Sequence, residues 1–390
     1  MNLIDQVSPL TIINAVGYAT RVGGSQPSTE VLEAMRWAQE RYFEIDDLLQ
    51  FASGVVARET GSSGGLVTCS ASAALTLGAA AIMARYDLAV MDALPDTHAL
   101  TRRQFLYSRC NDFDYDHPLR ASGAELIPFA FEAEGLEQRL KEAIDKQTAG
   151  IVFVWTSTHQ QPLIQRIGKF CRTHGIPFLL DAAMGLPPAK NLHEFYQLGP
   201  NLVTLSGGKH LEGPQNSGLL FGDSDLITSA WLQMVDMHVQ PETWSLARLI
   251  NEEVVPKPPR HGIGRGFKVG KDAVLGCVAA LIAYSKRDFT EEAVRWRKRC
   301  EAIVSSLCNS ANFQAEVLLE NGTGQYPVVR IKADDPARMA FLKRQLKQGT
   351  PKIITAEDDD DQRLTYLYPM CLLDDEIPVL VRRINELIAP

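Results

Sequence analysis

Three short segments of this 390-residue chain carry residue types that can do chemistry. Phe178-Leu179-Leu180-Asp181-Ala182-Ala183 places a carboxylate at the end of an apolar run, and Leu205-Ser206-Gly207-Gly208-Lys209-His210 places an amine just after another. Val67-Thr68-Cys69-Ser70-Ala71-Ser72-Ala73 offers small residues that could open a helix. Each also has an ordinary structural explanation. The aspartate could be a helix N-cap, the lysine a surface residue beside a turn, and the small residues a site of close helix packing. Their chemistry has to be judged as a set.

Nucleotide binding fails first. A phosphate-cradling loop needs Gly five residues before a Gly-Lys pair and Ser or Thr after it. Gly208-Lys209 has Val203 and His210 at those places, and Gly270-Lys271 has Arg265 and Asp272. The seven cysteines contain no C-x-x-C pair, so no metal site is expected. Pyridoxal phosphate satisfies all three segments together. Backbone N–H groups at a helix start hold a phosphate, and an amine forms a Schiff base with the aldehyde. A carboxylate facing the pyridine nitrogen keeps it protonated, so that the ring accepts electrons from a substrate carbanion. Asp181 precedes Lys209 by 28 residues, which suits one strand–helix–strand unit.

Such segments need a scaffold that presents them at one edge. From about residue 60 to 225, short apolar runs alternate with helical patterns. Residues 88–91, 151–155, 178–180, 202–205 and 218–221 predict strands, and 136–146 and 163–174 predict helices between them. The alternation predicts an α/β fold with a mostly parallel sheet covered on both faces. Ligands in such sheets sit beyond the carboxyl ends of the strands. Upstream, Val31, Met35, Ala38, Tyr42, Ile45, Leu49, Ala52 and Val56 recur at helical spacing behind an N-cap at Ser28, predicting one long helix or two successive ones. Past Trp244, a Pro-, Gly- and basic-rich connection at 254–270 leads to helices at 272–284 and 291–308. Strands at 326–331 and 364–368 and a last helix at 376–387 follow. The expected division is an N-terminal segment and helix over 1–58 contributing to the small domain or a dimer contact, a cofactor-binding large domain over 59–250, and a small α+β domain over 251–390.

Ile13-Asn14-Ala15, Gly23-Gly24-Ser25, Asp181-Ala182-Ala183, Ser206-Gly207-Gly208-Lys209, Gly213-Pro214-Gln215 and Phe267-Lys268-Val269-Gly270-Lys271 occur in this order. Over residues 12–280 the pattern resembles the fold-type-I pyridoxal phosphate enzymes of the selenocysteine synthase-like group, which includes D-glucosaminate-6-phosphate ammonia-lyases. The Ser-Gly-Gly-Lys and Gly-Pro-Gln segments are its most specific part. The resemblance implies the aspartate aminotransferase-like fold and a homodimer whose sites are completed across a twofold interface. It implies Lys209 as the Schiff-base lysine and Asp181 as the partner of the pyridinium nitrogen. It also implies Ser70 and Ala71 at the phosphate through backbone N–H groups, the Ser206 hydroxyl beside them, and Ala183 against one ring face. The opposite face needs a stacking side chain, sought within 111–117, where Tyr115 and His117 both remain open.

Substrate anions need cations. Lys257, Arg260, Arg265, Lys268 and Lys271 occupy a stretch without an acidic residue. A solvated basic loop is one reading. The other sets Arg265, with Lys268, on a substrate carboxylate, where a guanidinium fork suits a planar anion. The resemblance places this stretch near the active site and favours the second reading. It also makes Arg21, in the N-terminal Gly-rich segment, a substrate-binding candidate. The implied reaction is α,β-elimination on a β-substituted amino acid or amino-sugar acid. Lys209, kept neutral by burial, removes the Cα proton, a β-substituent leaves, and hydrolysis releases a 2-keto acid and ammonia. A hydroxyl leaving group needs a general acid, for which His159 and His210 are candidates. β-Replacement, including selenium or sulfur transfer to seryl-tRNA, and retro-aldol cleavage use the same parts. A non-catalytic sensor that retains the fold is disfavoured by the presence of both Lys209 and Asp181.

Composition agrees with a soluble globular enzyme: 45% of residues are apolar and 22% charged. A net charge of −8 disfavours nucleic acid and anionic membrane as partners, leaving a small-molecule substrate. The resemblance implies a tRNA-binding extension before the Ile-Asn-Ala motif in selenocysteine synthases; with that motif at Ile13, tRNA is not expected as a partner here. Residues 1–10 carry Asp5 and no Lys or Arg, unlike the basic start of a signal peptide. The odd, irregular cysteines predict reduced thiols, so a cytoplasmic location is expected. Residues 60–84 lack any charge, yet their Gly, Ser, Thr and Ala content predicts a glycine-rich loop entering a small-residue helix rather than a membrane span. The acidic run at 357–361 predicts a solvated turn.

Overall fold

The computed structural model describes residues 2–108, 115–235, 240–308, 310–318 and 326–389. They form a larger unit, Pro27–Arg287, and a smaller one, Met1–Gln26 with Asp288–Pro390. Both expected divisions, at 58/59 and 250/251, therefore fall inside the larger unit.

The helices preceding the first sheet are α1 (Leu3–Val7), α2 (Thr29–Gln39) and α3 (Ile45–Thr60). The pattern that begins at Ser28 thus resolves into two helices. Ser28 caps α2 by accepting the Val31 N–H, and the chain breaks before Ile45, leaving Tyr42 99% exposed. Strand β1 (Ile12–Ala15) belongs to the smaller unit. Strands β2 (Gly64–Thr68), β3 (Gln104–Tyr107), β4 (Glu125–Pro128), β5 (Thr148–Val154), β6 (Phe178–Asp181), β7 (Leu202–Ser206) and β8 (Gly218–Gly222) form the sheet of the larger one. Their order is β2-β8-β7-β6-β5-β3-β4. Every pairing is parallel except those of β8, which runs antiparallel to both β2 and β7. The apolar runs of β5 to β8 are buried over nearly their whole length, as a sheet covered on both faces requires.

Helices α4 (Ala71–Ala84), α5 (Leu88–Ala93), α6 (His117–Ala121), α7 (Leu136–Ala143), α8 (Gln161–His174), α9 (Asn191–Gln197), α10 (Ser224–Leu232), α11 (Arg248–Asn251) and α12 (Lys271–Ser285) complete this unit. Residues 88–91, expected as a strand, are helical. Asp87 accepts the N–H groups of Ala89 and Val90 and so caps α5, and a four-residue apolar run has no periodicity to oppose it. The glycine-rich stretch before α4 is not a loop but the edge strand β2. At Gly65 a Cβ would stand 2.2 Å from Val56 of α3, so the glycine is what lets helix and strand meet. Helix α4 is buried almost all round because it lies on the sheet, with Gly78 against Leu179 and Leu220. Among the described residues no helix is long and apolar enough to cross a membrane. Helix α12, expected in the small domain, belongs to the larger unit, where Gly276 admits Met35 of α2 and Pro214.

The smaller unit holds α13 (Phe289–Ser306), β9 (Phe313–Leu318), β10 (Val328–Ala333), α14 (Pro336–Gln348), β11 (Lys352–Glu357), β12 (Leu364–Leu367) and α15 (Glu376–Ile388). Its five-stranded sheet has the order β1-β11-β12-β10-β9, with only β1 and β11 parallel. Ile13, Ala15, Ile331, Leu342, Ile353 and Ile384 share its apolar core, which is why the first residues of the chain join its last hundred. The acidic run forms a turn in which Asp358 accepts the N–H groups of Asp360 and Asp361, and Asp361 pairs with Arg363.

In the larger unit, Asp223 ties β8 to its neighbours. It accepts both Nη groups of Arg172 at 2.9 and 3.0 Å, the Asn201 amide at 2.7 Å and the Tyr196 hydroxyl at 2.8 Å. Replacing Asp223 with Ala takes an acceptor from all three donors at once, although Arg172 keeps the Gly199 and Pro200 carbonyls and Tyr196 keeps Ser63. The expected loss is about 2 kcal/mol, read as a lowered denaturant midpoint at unchanged slope.

Candidate active site

Asp181 ends β6, and sheet register seats it between Val154 of β5 and Thr204 of β7. Its Oδ1 accepts the Ala183 N–H at 3.0 Å and the Thr204 hydroxyl at 3.1 Å, so Oδ2 keeps its acceptor capacity. Burial pushes this carboxyl above the usual range, opposed by those two bonds and by the Lys209 amine. Lys209 follows β7, and burial pushes its amine below the usual lysine range, opposed by Asp181. The two groups therefore sit in one dry region, each the other's electrostatic partner.

The loop carrying Lys209 is folded back on itself. Gly207 N–H donates to Ser217 O at 3.0 Å, Gly213 N–H to Gly207 O at 2.9 Å, and Glu212 N–H to Lys209 O at 2.9 Å. A Cβ at Gly207 would stand 2.0 Å from Ser217 Oγ, and one at Gly208 would stand 2.5 Å from Gln215 Cα. The Ser-Gly-Gly-Lys and Gly-Pro-Gln segments are thus two halves of one packed turn, and that contact explains their glycines.

At the other end of the site, Ser70 caps α4. Its side chain accepts the Ala73 N–H at 3.0 Å, which leaves the N–H groups of Ala71 and Ser72 outside the helical ladder. Thr68 braces the cap by donating its hydroxyl to Ser70 O at 2.8 Å. Because β8 runs against its neighbours, its first residue, Gly218, pairs with both Thr68 and Ser206. A Cβ on Gly218 would stand 2.3 Å from the Ser70 carbonyl carbon and 2.5 Å from Ala71 N. That close approach brings Ser70, Ala71 and Ser206 to the sheet edge where Asp181 and Lys209 lie. Ala183 is half-buried two residues after Asp181.

The remaining candidates have their own surroundings. Arg265 is half-buried on a turn spanning Ile263–Phe267, seated against α4 where Gly264 approaches Leu77. Lys268 is exposed. Lys271 donates to the carbonyls of Gln39 and Arg41, closing the end of α2. His159 is exposed and lines a surface groove with Lys190 and Glu194, a groove that Asp181 and Lys209 do not line. His210 is fully buried and held down to about 3 by burial and by the cations Arg287 and Lys209, so it carries no proton to donate as an imidazolium at neutral pH. Arg21 lies in the smaller unit, exposed, with its guanidinium 3.5 Å from Thr355 O. Tyr115 and His117 are both exposed, and residues 111–114 lie outside the described residues. Sequence reasoning missed Thr204, Thr68 and Gly218. The available signal was strand alternation, which turns Thr204 to the same face as Ser206.

No known family model matches the chain. It is similar along nearly its whole length to D-glucosaminate-6-phosphate ammonia lyase of Salmonella typhimurium, with 25% identity over 395 residues covering 99% of this chain and 98% of the relative. A solved structure of D-glucosaminate-6-phosphate ammonia-lyase superposes with a TM-score of 0.78 at 22% identity, covering 100% of this chain and 98% of that one. The chain has the fold-type-I architecture, and the relatives it is similar to include an ammonia lyase and a selenium transferase. A 5'-C-glycyluridine monooxygenase-decarboxylase of a Streptomyces species is 23% identical over 97% of this chain and 90% of the relative. An L-seryl-tRNA(Sec) selenium transferase of Carboxydothermus hydrogenoformans is 24% identical over 47% of this chain and 39% of the relative. A serine palmitoyltransferase solved with pyridoxal phosphate shares the fold at a TM-score of 0.57 and 14% identity, over 96% of this chain and 87% of that one.

If Asp181 is an anion buried for function, it should burden the protein without a ligand. The Asp181→Asn protein keeps an oxygen for Ala183 and Thr204 and loses the charge. Its melting temperature without cofactor is expected to equal or exceed that of the parent at pH 7.5. A carboxyl with a raised folded pKa becomes neutral as pH falls through that pKa, so the gain should shrink toward pH 4. Thermal scans at the two pH values decide it.

Proposed function

We propose that this chain is a pyridoxal phosphate-dependent lyase that releases ammonia by α,β-elimination from an amino acid or amino-sugar acid with a hydroxyl at Cβ. The observation that carries this reading is the coupled, buried Asp181–Lys209 pair at the same sheet edge as the open start of α4. The full-length similarity to an ammonia lyase supports the reaction type.

The residues fit the cofactor. Gly218 keeps the approach to the α4 terminus free of a side chain, and Asp181 retains an acceptor oxygen that only a cationic donor would neutralise. Once bound, pyridoxal phosphate supplies an aldehyde for the substrate amine and a ring that takes up the electron pair left at Cα. The N–H groups of Ala71 and Ser72, the positive end of α4 and the Ser206 hydroxyl hold the phosphate. Asp181 would hold the protonated ring nitrogen, while Thr204 and Ala183 fix the orientation of its carboxylate. Ala183 leaves room against one face of the ring. Lys209, neutral through burial, takes the Cα proton on Nζ and returns it to the departing oxygen, the role for which His159 and His210 were candidates. Arg265 receives the substrate carboxylate, with Lys268 adding charge from the surface.

The same reading includes a homodimer in the cytoplasm. Leu32, Trp37, Ile45 and Phe51 of α2 and α3 are 45–57% exposed, large apolar side chains that a second copy would cover. The cysteines Cys69, Cys171, Cys277, Cys300, Cys308 and Cys371 are free thiols, consistent with a reducing compartment.

The direct test incubates the protein, loaded with pyridoxal phosphate, with D-glucosaminate-6-phosphate, its unphosphorylated acid and a panel of β-hydroxy amino acids. Ammonia and 2-keto acid should appear in equal amounts, and Lys209→Ala should lower the rate by at least about a thousandfold. Aldehyde plus a shorter amino acid, or carbon dioxide, in place of ammonia would overturn elimination. Sedimentation velocity should show a dimer that Phe51→Glu converts to monomer; a monomeric parent protein with full activity would remove the dimer from the proposal.

A further inference from the structure

Arg287, just past α12, reaches into the loop that carries Lys209. Its Nη1 donates to the His210 carbonyl at 3.2 Å and its Nη2 to Glu212 Oε1 at 2.9 Å. The two side chains are only 18% and 27% exposed, and the guanidinium lies 5.5 Å from the Tyr284 ring centre, so this is not a solvated surface pair. The fork holds the loop on both sides of Leu211, which a single ammonium could not do from one position.

Glu212 has φ +57°, a left-handed conformation that glycine takes without strain and glutamate does not. The neighbouring glycine, Gly213, does not occupy this strained position. It is needed where a Cβ would stand 3.0 Å from the Gly207 carbonyl oxygen. A carboxylate at 212 therefore accepts backbone strain and gains the bond to Arg287. The Glu212 N–H closes a turn onto the Lys209 carbonyl at 2.9 Å, so the strained residue and the lysine share one hydrogen-bonded turn.

We propose that the Arg287–Glu212 pair is a positioning device that sets the backbone of Lys209 and so aims its amine into the site. The hydrogen bonds of the pair fall on His210 and Glu212, in the turn that follows Lys209, and it is through this turn that both side chains act. The proposal rests on Lys209 being the residue that attaches the cofactor.

The test uses the full chain reconstituted with pyridoxal phosphate, in four variants: Glu212→Gly, Arg287→Met, Arg287→Lys and the Glu212→Gly/Arg287→Met double. Three quantities are measured: melting temperature, the dissociation constant for pyridoxal phosphate, and the rate of borohydride-trapped label on the peptide containing Lys209. Glu212→Gly relieves the backbone strain but takes the carboxylate from Arg287, so the two effects oppose each other and the melting temperature should fall by a few degrees at most. Its labelling rate at Lys209 should nevertheless fall roughly ten- to a hundredfold, the scale expected for a misplaced reactive group. Arg287→Met should lose as much, the double variant no more than either single change, and Arg287→Lys should recover part of the rate. Wild-type labelling in Glu212→Gly, or a loss that follows melting temperature across the series, would overturn the positioning role. Should Arg287→Met fail to fold, Glu212→Gly decides alone. Absence of label on Lys209 in the unmodified chain would overturn the underlying reading of the site instead.

Discussion

A carboxylate buried at the end of a central parallel strand is the constraint around which the larger unit is arranged. An ionised group removed from water costs several kcal/mol unless its surroundings restore what the solvent supplied. Asp181 receives two hydrogen bonds on a single oxygen and the field of an amine that burial itself disfavours as a cation. That compensation is incomplete, because both hydrogen bonds fall on Oδ1 and leave Oδ2 with acceptor capacity. The strands flanking it are apolar and buried over nearly their whole length.

The direction of one strand then determines what stands near that carboxylate. If β8 ran parallel to β7, its first residue would lie at the opposite edge of the sheet, and the start of α4 would have no glycine against which to settle. Running antiparallel, β8 delivers Gly218 to the edge where β2 and β7 finish. Glycines at 65, 207, 208 and 218 all mark places where backbone meets backbone or a neighbouring side chain closer than a Cβ permits. The functional edge is therefore held by close packing, and the chemical groups are carried on rigid ends of strands and one braced turn rather than on long loops.

The brace has the same character. Arg287 and Glu212 lie outside the reacting groups, and a left-handed glutamate is tolerated there because its carboxylate has a fixed partner. Local strain, buried charge and a lysine held below its usual pKa are each unfavourable in isolation. They coincide within a few residues of Lys209, as at sites where folding stability is traded for reactivity.

The placement of the candidate residues was legible in part from residue types alone. Asp181 and Lys209 stand at or just after apolar runs that fold as buried strands, and Ser70 precedes a helix whose small residues pack closely. The seven-stranded sheet could be foreseen in part, since β5 to β8 carry period-free apolar runs, whereas β2, β3 and β4 are too short or too glycine-rich to stand out from loop. Residues 88–91 show the converse failure, where a side-chain cap outweighed strand-like composition. Only the folded chain decided that Thr204 serves Asp181, that Gly218 faces Ser70 and that Arg287 grips the turn after Lys209. It also decided that His159 faces solvent, and that the first residues pair with β11. Those facts depend on strand register and direction, and on contacts between residues tens to hundreds of positions apart. Neighbouring side chains in the sequence carry no record of either.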